Sequence, residues 1–136
     1  MKTSLLLCIG LFLCLNCYSQ INHAPLIGTS ETNIVTEIAK DSNYKLISSN
    51  RENDTLNKIT YQLINEGIYC NFFFKDKICV VMVLYYPITN TPELISIFNT
   101  IYKKTEDDNV WVDKEGLFKI QLFLDDKIAQ VGYKRL

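Results

Sequence analysis

The stretch that decides the fold is residues 68–87, IYCNFFFKDKICVVMVLYYP. Two arms rich in β-branched and aromatic residues flank the short charged turn Lys75-Asp76-Lys77, the pattern of a β-hairpin. The second arm is apolar at every position from Ile78 to Tyr86. A strand of that kind is normally buried on both faces, so it is expected in the middle of a sheet.

The chain on either side reads as more of the same sheet, interrupted by two helices. Upstream, Ile59-Thr60-Tyr61-Gln62-Leu63 alternates apolar and polar, the mark of a half-buried strand. Asn65-Glu66-Gly67 then supplies a turn with a residue that tolerates positive φ. Tyr44 to Ser48 reads as a short strand followed by a polar loop over 49–55. Ahead of it, Thr29 or Ser30 caps a helix over 30–41, whose Ile34, Val35, Ile38 and Ala39 fall at helical spacing.

Downstream, Thr91-Pro92-Glu93 opens a second helix with Thr91 as N-cap, proline in the first turn and a carboxylate at the positive end. Leu94, Ile95, Ile97, Phe98, Ile101 and Tyr102 make its apolar stripe, and Lys103 and Lys104 are placed at its C-terminus. Val110–Val112 is a short strand. Phe118–Leu124 and the run containing Ala129, Val131 and Tyr133 form a closing hairpin. A two-residue turn at Asp126-Lys127 pairs Leu124 with Ala129, Leu122 with Val131 and Ile120 with Tyr133, which puts every pair on one apolar face. The expected fold is α+β: an antiparallel sheet of about seven strands with two helices on one face, in the order α-β-β-β-β-α-β-β-β.

The N-terminus reads as an export signal. Lys2 precedes the apolar run Leu5–Leu15, and small residues at Cys17 and Ser19 mark a cleavage site. The run is shorter than the ~20 residues that span a bilayer, so no transmembrane span is expected after the signal is removed. The expected organisation is a signal peptide over 1–19, a lead-in over 20–28 and one α+β domain over 29–136. The domain is then periplasmic or secreted. A loose lipobox around Cys17 offers the alternative of a lipid anchor at that residue. Without Lys2 the mature chain has 13 Lys and Arg against 15 Asp and Glu. There is no basic cluster in the sequence, which argues against nucleic acid and against an anionic membrane surface as partners.

Few residues carry recognisable chemistry. Cys8, Cys14 and Cys17 fall within the signal, leaving Cys70 and Cys79 as candidates for a disulfide or as two small buried residues. His23 is the single histidine and lies in the lead-in, too few for a multi-histidine metal site. The acidic runs Glu106-Asp107-Asp108 and Asp125-Asp126 lack calcium-loop spacing and read as solvated turns. No phosphate loop or nucleophile elbow is present. No cofactor, metal site or catalytic set is expected.

The aromatics remain. Two helices cover one face of such a sheet, so strand residues on the other face must meet a curled sheet, a second subunit or a ligand. Phe73, Tyr85, Tyr86 and Trp111 are the candidates for that role. In layout the chain resembles small uncharacterised exported proteins of Gram-negative bacteria, through the Ser19-Gln20 junction, Tyr85-Tyr86-Pro87, Thr91-Pro92-Glu93-Leu94, Asp108-Asn109-Val110-Trp111 and the closing hairpin. The resemblance carries over no functional residue. The leading expectation is a non-enzymatic envelope module that binds a protein, peptide or apolar ligand through the uncovered sheet face. The rivals are a small hydrolase using Asp107, Asp108 or Asp113 near Trp111, and an inhibitor or immunity-type protein.

Overall fold

A computed structural model describes residues 26–136. Its order is α1 (Glu31–Ile38), β1 (Tyr44–Arg51), β2 (Leu56–Leu63), β3 (Ile68–Lys75), β4 (Ile78–Pro87), a 3-10 turn (Ile88–Asn90), α2 (Thr91–Ile101), β5 (Lys103–Lys104), β6 (Val110–Val112), β7 (Phe118–Leu124) and β8 (Ile128–Arg135). All eight strands form one antiparallel sheet in the order β1-β2-β3-β4-β8-β7-β6-β5. Each half is a helix followed by a four-stranded meander. The last strands of the two halves, β4 and β8, lie side by side at the centre.

The α+β class and the antiparallel sheet are as expected; the strand count is eight rather than seven. The added strand is Lys103–Lys104, which pairs with Val112 and Trp111 instead of closing the second helix. Tyr102 has already left helical geometry, at φ −111° and ψ 163°. Thr91 is not the N-cap either. The 3-10 turn after Pro87 runs straight into α2, so Thr91 has helical dihedrals, and its hydroxyl donates to Ile88 O at 2.7 Å. In α1 the cap is Ser30, whose Oγ accepts from Asn33 N, and the helix stops at Ile38 rather than at residue 41. β1 continues to Arg51, three residues beyond its expected end.

The central hairpin turns at Asp76-Lys77, both at positive φ (50° and 65°), the geometry of a type I′ turn. A register shift between Phe73 and Phe74 places a bulge opposite them on β4. The closing hairpin has the expected pairs Leu124–Ala129, Leu122–Val131 and Ile120–Tyr133. Asp125 Oδ1 holds its turn by accepting from Lys127 N and Ile128 N.

The core lies between the helices and one face of the sheet. Ile59, Phe72, Met82, Tyr133, Ile120 and Trp111 stand opposite one another in turn and form a single row across six strands. Ile34 and Ile38 of α1 and Leu94 and Phe98 of α2 pack on the same buried cluster. The chain before α1 joins this layer: Ile27 is buried, and Gly28 N donates to Cys79 O at 2.8 Å. The domain therefore includes residues of the expected lead-in. β4 is central, but it is not buried on both faces. Its inward Cys79, Met82 and Leu84 are covered, whereas Val81, Val83 and Tyr85 on the other side are half-exposed.

Candidate functional site, the open face of the sheet

Because side chains alternate across a strand, each buried residue of the core leaves its neighbours on the opposite face. Three rows of residues cross that face. The first is Lys58, Phe73, Val81, Lys134, Lys119, Val112 and Lys103, each opposite the next. The second runs from Thr60 through Asn71, Val83, Gly132 and Gln121 to Val110. The third includes Tyr69, Tyr85, Gln130 and Phe123. No described helix packs on these rows, since both helices contribute their buried residues to the other side.

The charge of this face is of one sign. No described strand contains an aspartate or a glutamate. Lys45, Lys58, Lys75, Lys103, Lys119 and Lys134 all fall on the open side by register. The acidic residues of the chain sit in helices, turns and loops, so a sequence of nearly balanced charge folds into a sheet with a lysine face. The lysines are 15 or more residues apart along the chain where they meet across β7 and β8, which is why no basic cluster stands out in the sequence.

The centre of the face is a trough of about 770 Å³ whose lining includes Val81, Val83, Lys119, Phe123, Gly132 and Lys134. Its floor is shaped by Gly132. A Cβ built there would lie 3.7 Å from Phe123 Cε2 and 3.8 Å from Gln121 O, ordinary contacts, and the glycine is not at positive φ. The backbone therefore does not require glycine at this position. Elsewhere on the same face, a chain of side-chain hydrogen bonds crosses β2, β3 and β4: Thr60 Oγ1 donates to Asn71 Oδ1 at 2.8 Å, and Asn71 Nδ2 donates to Tyr85 Oη at 3.1 Å. At one end Lys119 and Lys134 are direct cross-strand partners. Neither has a carboxylate partner among the described residues. Like charges directly opposite each other in a sheet are destabilising.

Of the aromatics expected at the site, Phe73 and Tyr85 are on the open face. Tyr86 and Trp111 are not. Tyr86 stands opposite Ala129 on the helix-covered side and packs against the core. Trp111 is 1% exposed, and its Nε1 donates to Asn99 Oδ1 at 2.8 Å. The Phe98 ring meets it edge-on at 5.2 Å, and Lys104 Nζ lies 4.9 Å from its centroid. In both cases the strand parity assigns the residue to the core, and Phe123, 51% exposed, takes the place beside the trough. Gly132, the two facing lysines and Val83 belong to the site but carry no signal in the sequence beyond the alternation itself.

Cys70 and Cys79 are free and buried. Cys79 stands opposite Phe74, four residues along β3 from Cys70, so about 13 Å of strand separates them, well beyond disulfide reach. Burial pushes the Cys79 thiol up to about 12 and raises that of Cys70 further. The carboxylates proposed for hydrolysis do not converge. Asp107 and Asp108 are exposed, and Asp113 Oδ1 accepts from Leu117 N and Phe118 N to hold its turn. Among the described residues no three His, Cys, Asp or Glu side chains gather as a metal site would need. No described helix is long and apolar enough to cross a membrane. The stretch read as a signal peptide, Cys17 and His23 lie outside the described residues. No family model, no curated protein and no solved structure matches the chain.

Proposed function

We propose that this chain is an exported, non-enzymatic binding module of the cell envelope that holds an anionic, partly apolar partner on its open sheet face. The observation that carries the reading is the partition of charge: six strand lysines and no strand carboxylate accompany Phe73, Val81, Val83, Tyr85 and Phe123 on a face that no described helix covers. Export is supported by Lys2 and the apolar run Leu5–Leu15. A second copy of the chain fits this face poorly. A twofold dimer would set the same patch against itself, lysine against lysine. An uncovered apolar centre inside a cationic rim suits a ligand that brings both an apolar body and a negative charge.

The test uses anilinonaphthalene sulfonate, a dye that is itself anionic and apolar. The native protein should brighten the dye, and the double variant V83S/F123S should not, while the near-UV circular dichroism of buried Trp111 stays unchanged in both. A native protein that leaves the dye dark, or a variant that brightens it equally, would sink the reading.

A further inference from the structure

The trough itself narrows the class of ligand. It runs along the strands, and its two ends differ in chemistry. Phe123 marks one end, and Val83 and Gly132 lie in the middle. Lys119 and Lys134 face each other at the far end, beside Val81. Residues on one face recur every second position, so the Phe123 level and the Lys119 level are about 13 Å apart. With carbon–carbon bonds of ~1.5 Å in a zigzag, an alkyl chain of roughly ten carbons spans that length. The volume, about 770 Å³, is in the range of small-molecule sites.

We propose that this trough binds a single-chain anionic amphiphile of the fatty-acid type, with its carboxylate between Lys119 and Lys134 and its alkyl chain laid over Gly132 and Val83 towards Phe123. The inference rests on the binding-module reading above and commits it to a monomeric ligand. Three features of the trough converge on it. The paired lysines repel each other across β7 and β8 until an anion sits between them, which gives the head a fixed place. Gly132, which the backbone does not need, brings no side chain to the floor, so the Phe123 ring closes over it, with Cε2 3.7 Å from where a Cβ would stand. Val81 and Val83 of β4 line the other side of the trough and give the alkyl chain an apolar bed beside Lys134 and Gly132.

Three ten-carbon probes test the proposal, each used below its micelle concentration: decanoate, decanol and decyltrimethylammonium. Displacement of the naphthalene sulfonate dye and calorimetric titration read their binding. Decanoate should bind at least about tenfold more tightly than the other two, the effect of one charge-assisted interaction. K119Q/K134Q should lose that preference and K119R/K134R should keep it. Gly132→Val should abolish decanoate binding without lowering the melting temperature, which separates a filled floor from a damaged fold. Equal binding of decanol and decanoate overturns the proposal, as does unchanged decanoate binding in the Gly132→Val variant. If the dye binds and responds to V83S/F123S but decanoate does not displace it, the ligand class is wrong and the broader reading survives. Displacement by an acidic peptide, an oligonucleotide or anionic phospholipid vesicles, but not by decanoate, has the same meaning. A native protein that never binds the dye ends both.

Discussion

Adjacent residues on β3 give the sharpest test of which sheet face is covered. Phe72 is fully buried, in a row with Ile59 and Met82 and with its ring 6.0 Å from that of Tyr61. Phe73 points the other way, opposite Lys58 and Val81, and is half-exposed. Phe72→Ala removes a whole ring from a packed core, and such changes destabilise by about 3–5 kcal/mol. Phe73→Ser removes a ring that is already partly in water. Full burial of a Phe side chain is worth about 1.5–3 kcal/mol, so the half-buried ring should contribute about 1 kcal/mol, with a few tenths more from the lower strand preference of serine. Urea unfolding followed by the single tryptophan reads both, with the slope checked for constancy. The expected result is a large loss for Phe72→Ala and a small one for Phe73→Ser, which should also weaken dye binding. If Phe73→Ser costs as much as Phe72→Ala, something covers the open face in the folded protein, and the binding-face argument fails.

Asn99→Ala should cost about 1–2 kcal/mol by removing the acceptor of the buried Trp111 Nε1, with a shift in the tryptophan emission as the second readout. From neutral pH up to 9.0 stability should be flat and above it should fall as pH rises, because the folded state holds the Cys79 thiol protonated up to about 12 against an ordinary 9.0. In that window one such group contributes a slope of about 1.4 kcal/mol per pH unit, and Cys79→Ala should flatten the profile by that amount. Both thiols should resist a disulfide-exchange reagent until the chain unfolds. Lys77→Gly should stabilise by about 0.5–1 kcal/mol, since position 77 has φ 65° in a turn that favours glycine; an unchanged or lower urea midpoint would count against the type I′ assignment. Gly132→Ala should raise the melting temperature, worth about 0.4–1 kcal/mol from the stiffer unfolded chain, while weakening ligand binding; a lower melting temperature would mean that the glycine is structural after all.

Much of the fold could be read because its signals are local. The alternation in 118–124 and 128–135 specified a register that the structure reproduces pair for pair, since a shift by one residue would have turned Leu122 and Val131 into solvent. β5 could not be read, because two lysines acquire strand geometry only by pairing with Val112 and Trp111. Nor could the end of β1, whose outer half is held by pairing to β2 and not by an apolar pattern of its own. The unbroken apolar run of β4 misled in an instructive way. It implied cover on both faces, and the described chain supplies cover on only one. For the site, composition pointed to an uncovered aromatic face, and Phe73 and Tyr85 lie on it. Trp111 and Tyr86 fell on the other side because the parity of β6 and the end of β4 depends on pairings with β7 and β8, not on anything nearby in sequence.

The strongest reason to regard the trough as functional is that two departures from what stability favours coincide there. An exposed sheet face gains from mixed charge across strands, where opposite pairs contribute roughly 0.2–1 kcal/mol and like pairs oppose folding. This face instead sets Lys119 against Lys134 and has no acid on any described strand to offset them. A strand interior likewise loses stability by holding glycine where a β-branched residue would fit, and Gly132 has room for a Cβ. Each departure alone is unremarkable on a protein surface. The glycine, however, lies two residues from Lys134 on β8 and opposite Val83 on β4, so the missing side chain and the uncompensated charge bound the same cavity. Violations of local rules gather where binding demands them, and a ligand with a negative head and an apolar chain is what relieves both at once.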